Sequence, residues 1–206
     1  RRHRQRRPGH GWGGPLMPVL SAELRADAER ILARYPDGRE RSAIMPLLYL
    51  MQSAEGRVTR EGLKEVADLL GLKTAEVEAV ASFYTMLRIR PTGRYLVSVC
   101  TNLACALRGS AEVYARAREV LGPGSEDVTE DGSFSLHEEE CLGACDAAPV
   151  VQINFANYDR TTPDGIDALI DSLRRGEQPP PSRGAFPGEF TKASRILAGL
   201  EPEAGR

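Results

Sequence analysis

Four cysteines constrain the fold of this chain more than any other feature. Cys100 and Cys105 form a C-x4-C pair, Cys141 and Cys145 form a C-x3-C pair, and 35 residues lie between the pairs. Each pair follows a strand-like run, "RYLVSV" before Cys100 and "GSFSLHE" before Cys141. Both pairs therefore sit on loops at strand ends, which can aim two side chains each toward one point in space. Three chemistries use four such thiols. Two disulfides suit an exported chain, but "RRHRQRRPGHGWGGP" holds no apolar run long enough for a signal-peptide core. Disulfides are not expected. Spacing leaves the other two open: a structural zinc, which usually draws its thiolates from tighter C-x2-C knuckles, and a 2Fe-2S cluster, whose two irons can each take one pair. A Rieske-type centre is not expected, because none of His3, His10 and His137 stands in a Cys-x-His pairing.

The remainder of the chain separates by texture. Residues 1–19 read as a disordered basic tail: five of the first seven are arginine, and removing those charges from the net of -2 leaves the rest near -7. Residues 20–90 read as a helical bundle. Leu24, Ala28, Ile31 and Leu32 recur with helical spacing before the turn "YPDG". A second helix is expected from an N-cap at Ser42, with Pro46 tolerated in its first turn, to a stop before Gly56. Thr59 and Thr74 are expected to cap a third and a fourth, with Gly71 ending the third. The longest apolar run, "AIMPLLYLM", falls far short of the roughly 20 residues that cross a bilayer. No membrane span is expected.

Residues 91–175 read as an α/β region: strands at "RYLVSV", "GSFSLHE" and "PVVQINF", with helices at Ser110 to Gly122 and Thr162 to Arg175. From 176 to 206 the Pro-rich "GEQPPPSRGAFPGEF" reads as an extended arm, either disordered or laid along a partner, with "ASRILAGL" as a candidate short helix. Truncation at Gly176 is expected to spare the cysteine site and weaken assembly.

Several functions are disfavoured by what the residues lack. No G-x-G-x-x-G follows a strand, and "GHGWGG" sits in the wrong context for one. No Ser/His/Asp or Cys/His catalytic pairing is suggested. The segment "VTREGLKEVADLLGLKTAEVEAVASFYTML" has the pattern of a helix-turn-helix, which with a metal site would suit a redox-sensing DNA-binding protein. Its second helix opens on Ala75, Glu76, Val77 and Glu78, with no cationic residue before Arg88. A groove reader needs cationic and amide side chains there, so no nucleic-acid partner is expected.

The blocks "YPDGRERSAIMPLLYLMQ", "VASFYTML", "GRYLVSVCTNLAC" and "DGSFSLHEEECLGACDAAPVVQIN" resemble the signature blocks of one family. It is that of the thioredoxin-like 2Fe-2S ferredoxin subunit, of the 24 kDa type, in the proton-pumping NADH:quinone oxidoreductase, respiratory complex I. Related subunits of NAD-linked formate dehydrogenases and hydrogenases belong to the same family. The resemblance covers roughly residues 20 to 175. It implies an α+β chain, a helical bundle followed by a thioredoxin-like ferredoxin domain. It also implies that Cys100, Cys105, Cys141 and Cys145 hold one 2Fe-2S cluster. FMN and NADH would be bound by the adjoining flavin subunit, with a neighbouring iron-sulfur subunit as a further partner. This chain would then be a one-electron site with no complete active site of its own, peripheral on the cytoplasmic side of the membrane. Complex I is the favoured parent assembly, with a formate dehydrogenase or hydrogenase as the alternative.

Given that ligand set, Gly143 lets the second loop bend tightly, and its free amides can donate to cluster sulfurs. Pro149 can begin the next segment without a donor, and thioredoxin-like folds often place a proline here in the cis form. Glu138, Glu139, Glu140 and Asp146 flank the second pair. One such charge about 10 Å away, at an effective dielectric near 20, disfavours an added electron by about 1.7 kcal/mol, or roughly 70 mV. A low-potential centre is expected.

Overall fold

A computed structural model describes residues 20–122 and 128–200. The expected basic tail, 1–19, and the last residues of the arm, 201–206, lie outside them.

Local capping chemistry starts most of the helices. In α1 (Ala22–Leu32) the Ser21 hydroxyl accepts the Leu24 N–H, and Ala28 and Ile31 are buried. A 3₁₀ turn, Glu40–Ala43, runs directly into α2 (Ile44–Glu55), so the expected Ser42 cap is replaced by a continuous entry in which Ala43 precedes the helix. Pro46 still falls in the first turn, where its missing N–H is harmless. Thr59 caps α3 (Arg60–Leu70) by accepting from Gly62, and Gly71 ends it in the left-handed conformation. α4 (Thr74–Phe83) starts one residue earlier than expected: Lys73 is the cap position, and its N–H donates to Glu76 at 3.1 Å.

After α4 the period changes to that of a sheet. β1 (Tyr95–Cys100) is buried along its whole length. The short α5 (Leu103–Ala106), capped by Asn102, and α6 (Ser110–Leu121) lead to β2 (Phe134–Glu139). Then come β3 (Val151–Ile153), β4 (Ala156–Tyr158), α7 (Pro163–Arg174) and α8 (Phe190–Leu197). The order across the sheet is β2-β1-β3-β4. β1 and β2 run parallel, with Tyr95 opposite Phe134 and Cys100 opposite Glu139. β3 is antiparallel to both β1 and β4. A Cβ at Gly93 would stand 2.6 Å from the Phe134 backbone, so only glycine lets the chain enter β1 this close to β2.

Two large apolar clusters form among the described residues. One joins α1 to α4, centred on Ile31, Leu47, Leu48, Leu50 and Val66. The other lies between the sheet and the pair α6 and α7, built from Val97, Val99, Leu136, Ile153, Ile166 and Ile170. Arg116 on α6 grips Asp167 on α7 through two nitrogens at 2.7 to 2.9 Å.

Residues 177–200 lie against the rest of the chain rather than extending away from it. Ser182 N–H donates to Asn157 O, Phe190 N–H donates to Arg94 O, and α8 packs on α2. Phe190 is 1% exposed, and Ala198 joins the cluster of the first four helices. No helix among the described residues is long and apolar enough to cross a membrane.

Candidate metal centre

The four cysteines occupy the strand-end positions expected of them. Cys100 is the last residue of β1, and its pair partner Cys105 sits on α5 one turn later. Cys141 follows β2 by two residues, and Cys145 opens the 3₁₀ turn Cys145–Ala147. Parallel pairing ends both strands side by side, so the two loops leave the same edge together.

Backbone bonds hold the loops against one another. Cys100 N–H donates to Val150 O at 3.1 Å, and Thr101 N–H donates to Glu139 O at 2.9 Å. The Cys100 thiol reaches the second loop directly, 3.8 Å from Glu140 O. Gly143 has φ +72°, a conformation that L side chains rarely adopt, and the loop bends back there as anticipated. The Ala148–Pro149 bond is cis.

Within this frame the thiols form two pairs. Cys105 is in hydrogen-bonding reach of Cys100, and Cys145 of Cys141, while Cys100 and Cys105 both couple electrostatically to Cys145. Cys100 and Cys105 are buried, and Cys141 and Cys145 are exposed. Burial, together with Cys100, pushes the Cys105 thiol up to about 11, while the Val150 N–H pulls it the other way. Cys141 raises Cys145 in turn. Thiols that oppose one another's ionisation in this way are ones a cation would gather as thiolates. Among the described residues, no three His, Cys, Asp or Glu side chains close on a point as a single metal ion requires. Ala144, Ala148 and Val150 pack in one apolar cluster with the buried Cys100 and Cys105.

The surroundings differ in part from the acidic picture in the sequence. Glu138 and Glu140 are exposed, and Glu139 is partly buried. Asp146 faces Arg183 at 3.4 Å, and the same guanidinium binds Asp159 at 3.0 Å, so Asp146 carries a compensating cation. Burial raises the Glu139 carboxyl, and the Arg88 charge opposes that rise. Arg88, whose Nη2 lies 2.6 Å from His137 Nε2, has no local sequence signal, because its loop meets β2 only through the tertiary fold. Leu103 and Leu107, beside Cys105, are 70% and 78% exposed. They make an apolar rim at the site.

The chain is 48% identical to the E subunit of NADH-quinone oxidoreductase from Mycobacterium tuberculosis over 192 residues, 92% of this chain and 75% of that one. It is 42% identical to NADH-quinone oxidoreductase subunit 2 of Thermus thermophilus over 151 residues, 73% of this chain and 83% of that one. A solved NAD+-reducing NiFe hydrogenase shares the fold, with a TM-score of 0.56 and 23% identity over 65% of this chain and 23% of that chain. Residues 28–174 match the family described as thioredoxin-like 2Fe-2S ferredoxin. With 48% identity to the mycobacterial protein along most of its length, the chain belongs to the thioredoxin-like 2Fe-2S ferredoxin family, among the E subunits of NADH-quinone oxidoreductases.

Proposed function

We propose that this chain is the electron-transfer subunit of an NADH-quinone oxidoreductase of the complex I type, with Cys100, Cys105, Cys141 and Cys145 holding its 2Fe-2S cluster. The observation that carries the reading is the convergence of the two cysteine loops at the joint end of β1 and β2, with the Cys100 thiol on the second loop's backbone. The curated relatives' name supports the parent assembly. When bound, a 2Fe-2S cluster supplies a centre that accepts and gives up one electron without a proton.

The chain's own residues do the rest. The four thiolates hold the irons, the Val150 N–H reaches the Cys105 sulfur, and Ala144, Ala148 and Val150 keep the buried pair dry. Residues 20–90 serve as a docking bundle and 91–175 as the ferredoxin domain, with α8 folded onto the bundle through α2. The adjoining flavin and NADH-binding subunit and a neighbouring iron-sulfur subunit are the partners, on the cytoplasmic side of the membrane. Leu103 and Leu107, exposed next to Cys105, are apolar surface of the kind that a partner covers. The test is the Leu103→Asp, Leu107→Asp double variant in the assembled complex. Loss of this chain from the complex on purification, with the isolated chain still folded, supports the docking role; undiminished incorporation contradicts it.

A further inference from the structure

The sheet has two unlike faces. Val97, Val99, Phe134 and Leu136 belong to the apolar core with α6 and α7. The register pairs Ser98 with His137 and Cys100 with Glu139. Side chains alternate along a strand, so these four share the opposite, polar face, with Cys100 at its end.

Arg88 lies over that polar face. Its Nη2 stands 3.0 Å from His137 Nδ1 and 2.6 Å from Nε2, and its charge is felt at Glu139. His137 and Glu139 are one pleat apart, about 7 Å, and a neighbouring strand adds about 4.8 Å. The guanidinium is thus on the order of 10 Å from Cys100.

A surface cation on a loose tether is screened and averaged. Arg88 is anchored. Its N–H donates to Gln52 Oε1 at 2.6 Å, and its carbonyl accepts from Val58 N–H at 2.7 Å. Gln52 is fully buried on α2, and its Nε2 donates to Met86 O and to Ser194 Oγ, each at 3.1 Å. The loop that carries Arg88 is therefore fastened to α2 and, through Ser194, to α8.

We infer that Arg88, positioned by Gln52, is a fixed cation that favours the added electron at the four-cysteine site and offsets Glu138, Glu139 and Glu140. The inference rests on the four-cysteine reading. One electron enters and none of this chain's bonds changes. Arg88 acts through space, so its role is electrostatic positioning. Arginine keeps its charge across the accessible pH range, so the cation is present at every working pH.

The experiment is a mediated dithionite titration of the full chain with its cluster, read by electron paramagnetic resonance, for wild type, Arg88→Gln and Arg88→Lys. Arg88→Gln lowers the midpoint, making reduction up to about tenfold less favourable, about 59 mV for one electron. Arg88→Lys recovers most of the loss. Gln52→Met, which keeps the guanidinium and loosens its anchor, lowers the midpoint by less, and it carries the test if Arg88→Gln does not fold. A wild-type signal with unmoved midpoints in the variants overturns the inference alone. A wild-type chain with no 2Fe-2S signal overturns the four-cysteine reading and this inference with it.

Discussion

Gln52 on α2 and Ser194 on α8 meet at 3.1 Å with both side chains fully buried, although 142 positions separate them in the chain. Ser194 in turn donates its hydroxyl to Phe190 O at 2.9 Å. The C-terminal helix is thus part of the fold of the first four helices.

Removing it has a predictable cost. Truncation at Gly176 takes Phe190, 1% exposed, and leaves Gln52 and Asp27 short of partners. Truncation is therefore expected to destabilise the chain itself, in addition to the weakened assembly expected from the sequence. Phe190→Ala destabilises by about 3–5 kcal/mol, and Ser194→Ala by about 1–3 kcal/mol. Urea titration followed by circular dichroism measures both.

Asp27 links α1 to α8 and is 2% exposed. Burial alone would raise its carboxyl, but hydrogen bonds and charge from Arg30 and Arg195 hold it below its ordinary value of 3.8. A depressed carboxylate contributes stability that is present above the unfolded value and is lost as pH falls through the folded one. Stability therefore falls below about pH 4. Asp27→Asn lowers neutral-pH stability by about 1–3 kcal/mol and flattens that acid limb. Chemical denaturation at pH 7 and at pH 3 to 5 checks the sign.

The exposed acids on the second loop act on potential. Glu138→Gln and Glu140→Gln each raise the midpoint by up to about 70 mV at low ionic strength. Added salt shrinks the effect, because both side chains are exposed. Asp146→Asn moves it less, since Arg183 already faces that carboxylate. Redox titrations at two salt concentrations separate these cases.

The local signals in the sequence are legible where one residue decides the outcome. Thr59 caps α3, Gly71 ends it, Gly143 turns the second loop, and both cysteine pairs stand at strand ends. What stays hidden depends on distant partners. β4 is a three-residue strand whose turn uses Asn154 and Phe155 at positive φ, a choice that no glycine announces. Asn154 stabilises it by accepting from Leu96 N–H and donating to Gly188 O, 58 and 34 positions away. Gln52 reads as one polar residue near the end of an apolar helix, and only the fold brings Ser194, Met86 and Arg88 to it.

Replacing a cysteine separates the site from the fold. The bundle core contains no cysteine. Cys105→Ser and Cys141→Ser therefore lose the visible absorption of the cluster while far-ultraviolet circular dichroism keeps its helical signal. Cys141→Ser is the cleaner variant, because that side chain is exposed and its replacement disturbs no packing.

One 2Fe-2S cluster held by these four thiolates is what everything else depends on. Electron paramagnetic resonance of the anaerobically purified, dithionite-reduced chain tests it most directly, with iron and acid-labile sulfide assayed on the same sample. The expected result is a spin-half signal with about two irons and two sulfides per chain. A silent sample with one zinc per chain would contradict it.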